Sequence, residues 1–220
     1  GNNSHFQGNA NFHHEKNKTK FNFSLGGLYT KGANSLIDTD RVYQQNWSLT
    51  RGDSSYKTNR WLNDAYFNSE LIVGNFTANF YNYYRKQGAW AGPEYIASPG
   101  SNLLTNQFAG SIKYDYRISD NILITPKLYS NVNYHDYLLC ETPNNYFSII
   151  SNSSFEKGKR IKENYLNRTL GGALDFYIKV NDHWDILTGN LFEDQRMKSY
   201  GLTRNYKIVG DIYKGEFGNY

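Results

Sequence analysis

Lys113, Asp115 and Arg117 recur at every second position of one stretch. In an extended strand that spacing puts all three on one face. Asp175 and Lys179, and Glu70 elsewhere, have the same character. Such alternating charge suits the wall of an aqueous space or a path for a polar ligand. His13, His14 and Glu15 offer metal-ligating types. Neighbours in a strand point to opposite faces, so the two histidines cannot chelate together, and no metal ligand is expected. His135-Asp136 and Asp182-His183 pair a base with a carboxylate. No serine in a G-x-S-x-G setting accompanies them, and Asp182 has the local hydrogen-bonding role of a turn aspartate. No catalytic residue, cofactor or enzymatic activity is therefore expected. Cys140 is the lone cysteine, so no internal disulfide framework exists. Tyr43, Trp47, Trp90, Tyr95, Tyr146 and Phe147 lie in long polar segments. Exposed aromatics among Asn and Gly can stack on sugars or grip an apolar ligand, so these six are the ligand-binding candidates.

The elements that must carry these residues are strands. From Gln107 to Ile118 one face reads Phe108, Gly110, Ile112, Tyr114, Tyr116 and Ile118. The other reads Gln107, Ala109, Ser111, Lys113, Asp115 and Arg117. The period is 2 over twelve residues, and a strand of that length spans roughly 40 Å, well beyond the usual ~5–6 residues. Phe6 to Phe12, Phe21 to Tyr29 (with Leu28 off pattern), Ala65 to Val73, Phe76 to Phe80 and Leu170 to Val180 repeat the alternation. Nine strands are expected, at 4–14, 20–31, 62–73, 76–87, 106–118, 122–136, 166–180, 184–196 and 205–217. Pro126 falls inside one of them and marks a bulge or an edge.

Composition agrees. Aromatics make up 17% of the 220 residues, with 20 Tyr, 28 Asn and 19 Gly, which favours strands and turns. The net charge of +4 is unclustered, so a nucleic-acid partner is not expected. No run reaches the ~20 apolar residues of a membrane-spanning helix. Short turns at Glu15–Lys20, Gly74–Asn75, Ser119–Asn121 and Asn181–His183 alternate with long connections near 32–60, 88–105 and 137–165. Long two-faced strands with short turns at one end and long loops at the other describe an antiparallel transmembrane β-barrel, or an open part of one. Its short turns would be periplasmic and its long loops extracellular. Tyr29, Tyr83, Tyr84, Trp90, Tyr134, Tyr137 and Trp184 then flank the apolar stretches as aromatic girdles. Lys113, Asp115, Arg117, Asp175 and Lys179 become lumen-lining candidates, and outer-membrane lipid becomes a partner. The basic run Lys157, Lys159, Arg160 and Lys162 faces either solvent or anionic lipopolysaccharide.

The polar opening strand, the charged turn and the stretch Lys20 to Tyr29 resemble the first barrel hairpins of TonB-dependent outer-membrane receptors. The Asn- and Tyr-rich style is similar to those of Bacteroidetes-type bacteria. The resemblance covers most of the chain through style and spacing, without a specific motif. It implies a cell outer-membrane location and energised uptake of a scarce ligand such as a siderophore or glycan. It also implies contact with the TonB complex through a plug domain, and with a surface lipoprotein. No plug is recognisable here, and residues 1–220 read as one partial barrel domain. Two other readings stay open: a small self-contained outer-membrane barrel with a structural or adhesive role, and a soluble carbohydrate-binding β-domain.

Overall fold

The computed structural model describes residues 4–32, 61–88, 100–141, 146–148, 153–209 and 212–214. These residues form strands and no helix. In chain order the strands are β1 (His5–Lys16), β2 (Thr19–Thr30), β3 (Leu62–Val73), β4 (Phe76–Gly88), β5 (Asn102–Tyr114), β6 (Tyr116–Ser119) and β7 (Ile122–Cys140). They continue with β8 (Tyr146–Ser148), β9 (Ser153–Phe155), β10 (Arg160–Lys179), β11 (Asp185–Arg204), β12 (Lys207–Val209) and β13 (Ile212–Lys214). One antiparallel sheet has the order β1-β2-β3-β4-β5-β7-β10-β11, with β6 also on β7. β6 continues the line of β5 along β7, so the sheet has eight staves, one of them interrupted.

The interruption has a covalent cause. Pro126 lies where β5 stops and β6 begins: between the pairs Lys113–Lys127 and Tyr116–Ile124 it comes opposite Tyr114, with Thr125 opposite Asp115. Proline has no N–H to give the ladder. The Asp115 N–H faces the other neighbour and donates to the Asn75 carbonyl at 2.8 Å, and the Thr125 hydroxyl donates to the Asp115 carboxylate at 2.8 Å.

The short turns line one edge. β1–β2 and β3–β4 close through two residues, and Asn17 (φ 55°) and Gly74 (φ 59°) take the left-handed conformation such turns demand. Adjacent turns are tied together: the Gly74 N–H donates to the Lys18 carbonyl and the Lys179 N–H to the Asn121 carbonyl, both at 2.8 Å. The long connections, 31–61, 89–101 and 141–159, all leave from the opposite edge. There a small core forms. Phe155, Tyr206 and Cys140 are buried, Asn205 bridges the Arg160 N–H and the Gly158 carbonyl, and the Tyr206 hydroxyl donates to Glu141 at 2.6 Å.

Of the two expected forms, a closed barrel and an open sheet, the described residues take the second: β1 and β11 each have a single neighbour, so no barrel is closed. Two other expectations change. Of the segment expected as a ninth strand, 205–217, the described residues 205–209 and 212–214 are not part of the sheet. β11 absorbs residues through Arg204, and β12 and β13 pair only with each other. The expected loop at 137–165 is also narrower, because β7 runs to Cys140 and β10 starts at Arg160.

Candidate functional site

Register sorts every stave into two faces. One row runs Phe21, Leu71, Ala78, Ile112, Leu128, Gly172 and Phe192, crossing seven staves. The next row, one residue along, runs Asn22, Glu70, Asn79, Ser111, Tyr129, Gly171 and Glu193 on the opposite face. The first face is apolar. Phe12, Phe21, Phe23, Phe67, Phe80 and Phe108 form a chain of ring contacts from β1 to β5, the last three at 5.2, 5.4 and 4.6 Å edge to face. Yet this face is open: Phe108, Leu128 and Phe192 are 42, 61 and 79% exposed. The polar face is the better covered one, and Gln107, Ser111, Lys113 and Tyr129 on it are half-buried. That is the reverse of a soluble sheet, whose apolar face is its covered one.

The apolar band has edges. On β4 it runs from Phe76 to Tyr84, and on β10 from Ile178 to Leu170, where Arg168 ends it. Tyr114, Tyr116 and Trp184 lie at its short-turn side, and Tyr29, Tyr84 and Tyr134 at the other. Tyr83 and Tyr137, expected in this girdle, are on the polar face: each is one residue out of phase with a neighbour on the apolar side, Tyr84 and Asp136. Trp90 lies outside the described residues.

All five charged residues expected to share a wall are on the polar face or at its turn edge. Lys113 and Asp115 pair at 3.7 Å, and Thr125 lies between Asp115 and its cross-strand partner Asp175. Arg117 is opposite Leu123 in the next row. Lys179 is drawn out of the group to Asp182 in the β10–β11 turn, at 2.9 Å. Glu70 accepts from Asn22 at 2.8 Å, and Asn22 contacts His13 at 2.5 Å. His14 pairs opposite Phe21, so the two histidines are on opposite faces, as are His135 and Asp136. Among the described residues no group of acidic, histidine or cysteine side chains could hold a metal ion.

The structure assembles a polar cluster that single-strand patterns did not reveal. Asp64, Arg85, Thr105, His135 and Tyr165 share one row across five staves. Arg85 grips the Asp64 carboxylate with two hydrogen bonds, 2.6 and 2.9 Å, and lies 5.4 Å over the Tyr83 ring. His135 stacks on Tyr165 at 4.5 Å and contacts the Thr105 and Tyr137 hydroxyls at 3.2 and 2.8 Å. Alternation placed each of these side chains on a face, but only register shows that they meet. Toward the turns, Tyr129 lies across Gly171 to donate to Glu193, and Tyr66 lies across Gly26. A side chain on either glycine would collide with the ring.

Of the six aromatic candidates, Tyr43, Trp47, Trp90 and Tyr95 lie outside the described residues. Tyr146 and Phe147 belong to β8, which pairs only with β9 in a hairpin off the main sheet. No protein-family model matches the chain, and neither a curated protein nor a solved structure matches it.

Proposed function

We propose that this sheet is the wall of an outer-membrane β-barrel whose apolar face meets lipid and whose polar face meets an aqueous lumen. The carrying observation is the exposed, bounded apolar face. Each half-exposed large apolar side chain forgoes ~1 kcal/mol of burial. Ten of them on one face amount to on the order of 10 kcal/mol, the scale of a whole domain's stability. Something apolar must cover that face. Phe76 to Tyr84 is roughly 26 Å of strand, and a tilt of ~35–45° projects it to ~20 Å, near the ~25 Å band of such barrels. Tyrosines and a tryptophan at both limits fit the two interfaces.

The receptor reading builds on this wall. Long connections on one side would capture a scarce ligand, and the polar face would pass it inward. A plug and the TonB complex would gate and energise that passage. This part rests on the family resemblance, on the paired charges of the polar face and on the open edges. Lipid-exposed edges cannot stay unpaired, so further strands must close the sheet. The self-contained barrel is favoured by one observation: the eight staves among the described residues are an even number and the smallest usual for these barrels. The soluble carbohydrate-binding reading lacks a second layer on the apolar face among the described residues.

The membrane reading is tested by refolding the chain with phosphatidylcholine vesicles and floating them through a density gradient. Co-flotation with a strong β signal is expected. A soluble, monomeric, β-rich chain left at the bottom overturns it. Uptake is tested in cells carrying the full receptor: a protonophore should abolish accumulation of the labelled ligand while leaving surface binding intact.

A further inference from the structure

Arg168 on β10 and Arg196 on β11 are direct cross-strand partners on the apolar face, at the limit of the apolar band. Like charges directly opposite in a sheet repel, so the pair calls for an explanation. A bulge opposite Leu166 and Asn167 leaves Lys198 unpaired in the ladder, and Lys198 joins both arginines around a hollow of about 110 Å³. Bulges commonly re-aim a side chain in this way. Asp194 also lines the hollow and pairs with Arg196 at 2.7 Å. Three cations against one carboxylate leave two positive charges, and among the described residues Arg168 and Lys198 have no ion-pair partner.

The wall of this hollow nearest the short turns is Leu170. Leu170 also lines an apolar groove over Gly110, Ile112, Leu128 and Ser130. Ile112 and Leu128 lead in turn to a second groove along Gly172, Leu174 and Phe192. A cationic hollow therefore opens directly onto a continuous apolar channel on the same face. That is the complement of an amphiphile with an anionic head and acyl chains.

We infer that this face holds a phosphate-bearing membrane lipid, its head group between Arg168, Arg196 and Lys198 and an acyl chain along Leu170, Leu128 and Gly172. Arginine and lysine suit a phosphate by charge and by multiple N–H donors. Relief of the Arg168–Arg196 repulsion adds to the preference for an anion. The inference rests on the membrane reading, and its test separates the two.

The chain is reconstituted in phosphatidylcholine bilayers containing trace spin-labelled phosphatidic acid or spin-labelled phosphatidylcholine. The fraction of each label immobilised against the protein is read by electron paramagnetic resonance. Phosphatidic acid should be preferred by about fivefold, the effect of roughly one cation at an anionic lipid surface. The variant Arg168→Gln/Arg196→Gln/Lys198→Gln should bind both labels equally, whereas Lys113→Gln/Lys127→Gln, on the other face, should keep the preference. Immobilisation of both labels without preference in the unmodified chain overturns the lipid site but leaves the membrane reading standing. No immobilised label of either kind overturns the membrane reading itself. Loss of the preference in millimolar inorganic phosphate at constant ionic strength would assign the hollow to free phosphate and overturn the lipid assignment.

Discussion

Gly171 gives the sharpest test of side-chain packing on the polar face. A Cβ built there would overlap Tyr129 Cζ and its hydroxyl oxygen. The Tyr129 ring must leave, and with it goes the hydrogen bond to the Glu193 carboxylate. The atoms in the way are the far end of a flexible side chain, so the ring can swing aside without strain on the backbone. Gly171→Ala should therefore destabilise by no more than ~1 kcal/mol, the low end of overpacking. Gly110 is the control on the opposite face: its nearest neighbour to a new Cβ is the Asn79 carbonyl oxygen at 3.6 Å, an ordinary contact. Gly110→Ala should be neutral or stabilise by ~0.5–1 kcal/mol through the unfolded chain. The assay is denaturant unfolding in one lipid or detergent system, with Tyr129→Ala as a second background. There the cost of Gly171→Ala should largely vanish. An equal cost in both backgrounds would refute the claim that the Tyr129 ring occupies the space over Gly171.

Asp64→Ala should cost ~1–3 kcal/mol in unfolding experiments, because it strands the Arg85 guanidinium that Asp64 holds with two hydrogen bonds. Asp64→Ala/Arg85→Met should recover most of that loss, and a failure to recover would mean the pair is not the source of it. Pro126→Val restores a backbone donor opposite the β5–β6 gap, and amide hydrogen exchange should slow at Tyr114 and Tyr116, whose N–H groups face β7; unchanged exchange would mean the gap has another cause. On the proposed receptor reading, deleting residues 142–152 should weaken ligand capture while leaving assembly of the sheet intact. Unchanged capture would remove that connection from the binding surface.

Much of the sheet is readable from period-2 alternation, because each stave places large apolar residues on one face and polar ones on the other. The strands at 62–73 and 76–87 needed almost no adjustment for that reason. The end of the chain misleads for a physical reason: alternation at 205–217 is less clean than elsewhere, and pairing is a property of two strands. β11 extends to Arg204 along β10, and Asn205 and Tyr206 are spent on the buried contacts at the loop edge. The same limit hides the Asp64, Arg85, Thr105, His135 and Tyr165 row, whose members are distant in sequence and become neighbours only once register is set. The common face of Lys113 and Asp115 is readable because they stand two residues apart along the β5–β6 stave. The departure of Lys179 to Asp182 is not, since it depends on the turn beyond β10.

The central claim concerns which face meets lipid. Single cysteines, placed in a Cys140→Ser background, sample both faces at matched depth: Phe80, Ile112, Leu128 and Leu174 on one, and Asn79, Ser111, Lys127 and Ala173 on the other. Each is labelled with an environment-sensitive fluorophore, and the chain is reconstituted in vesicles containing brominated lipid. Strong quenching by bromine is predicted at the first four sites, and quenching only by aqueous iodide at the second four. Quenching that ignores the alternation, or bromine quenching on the polar face, would contradict the account.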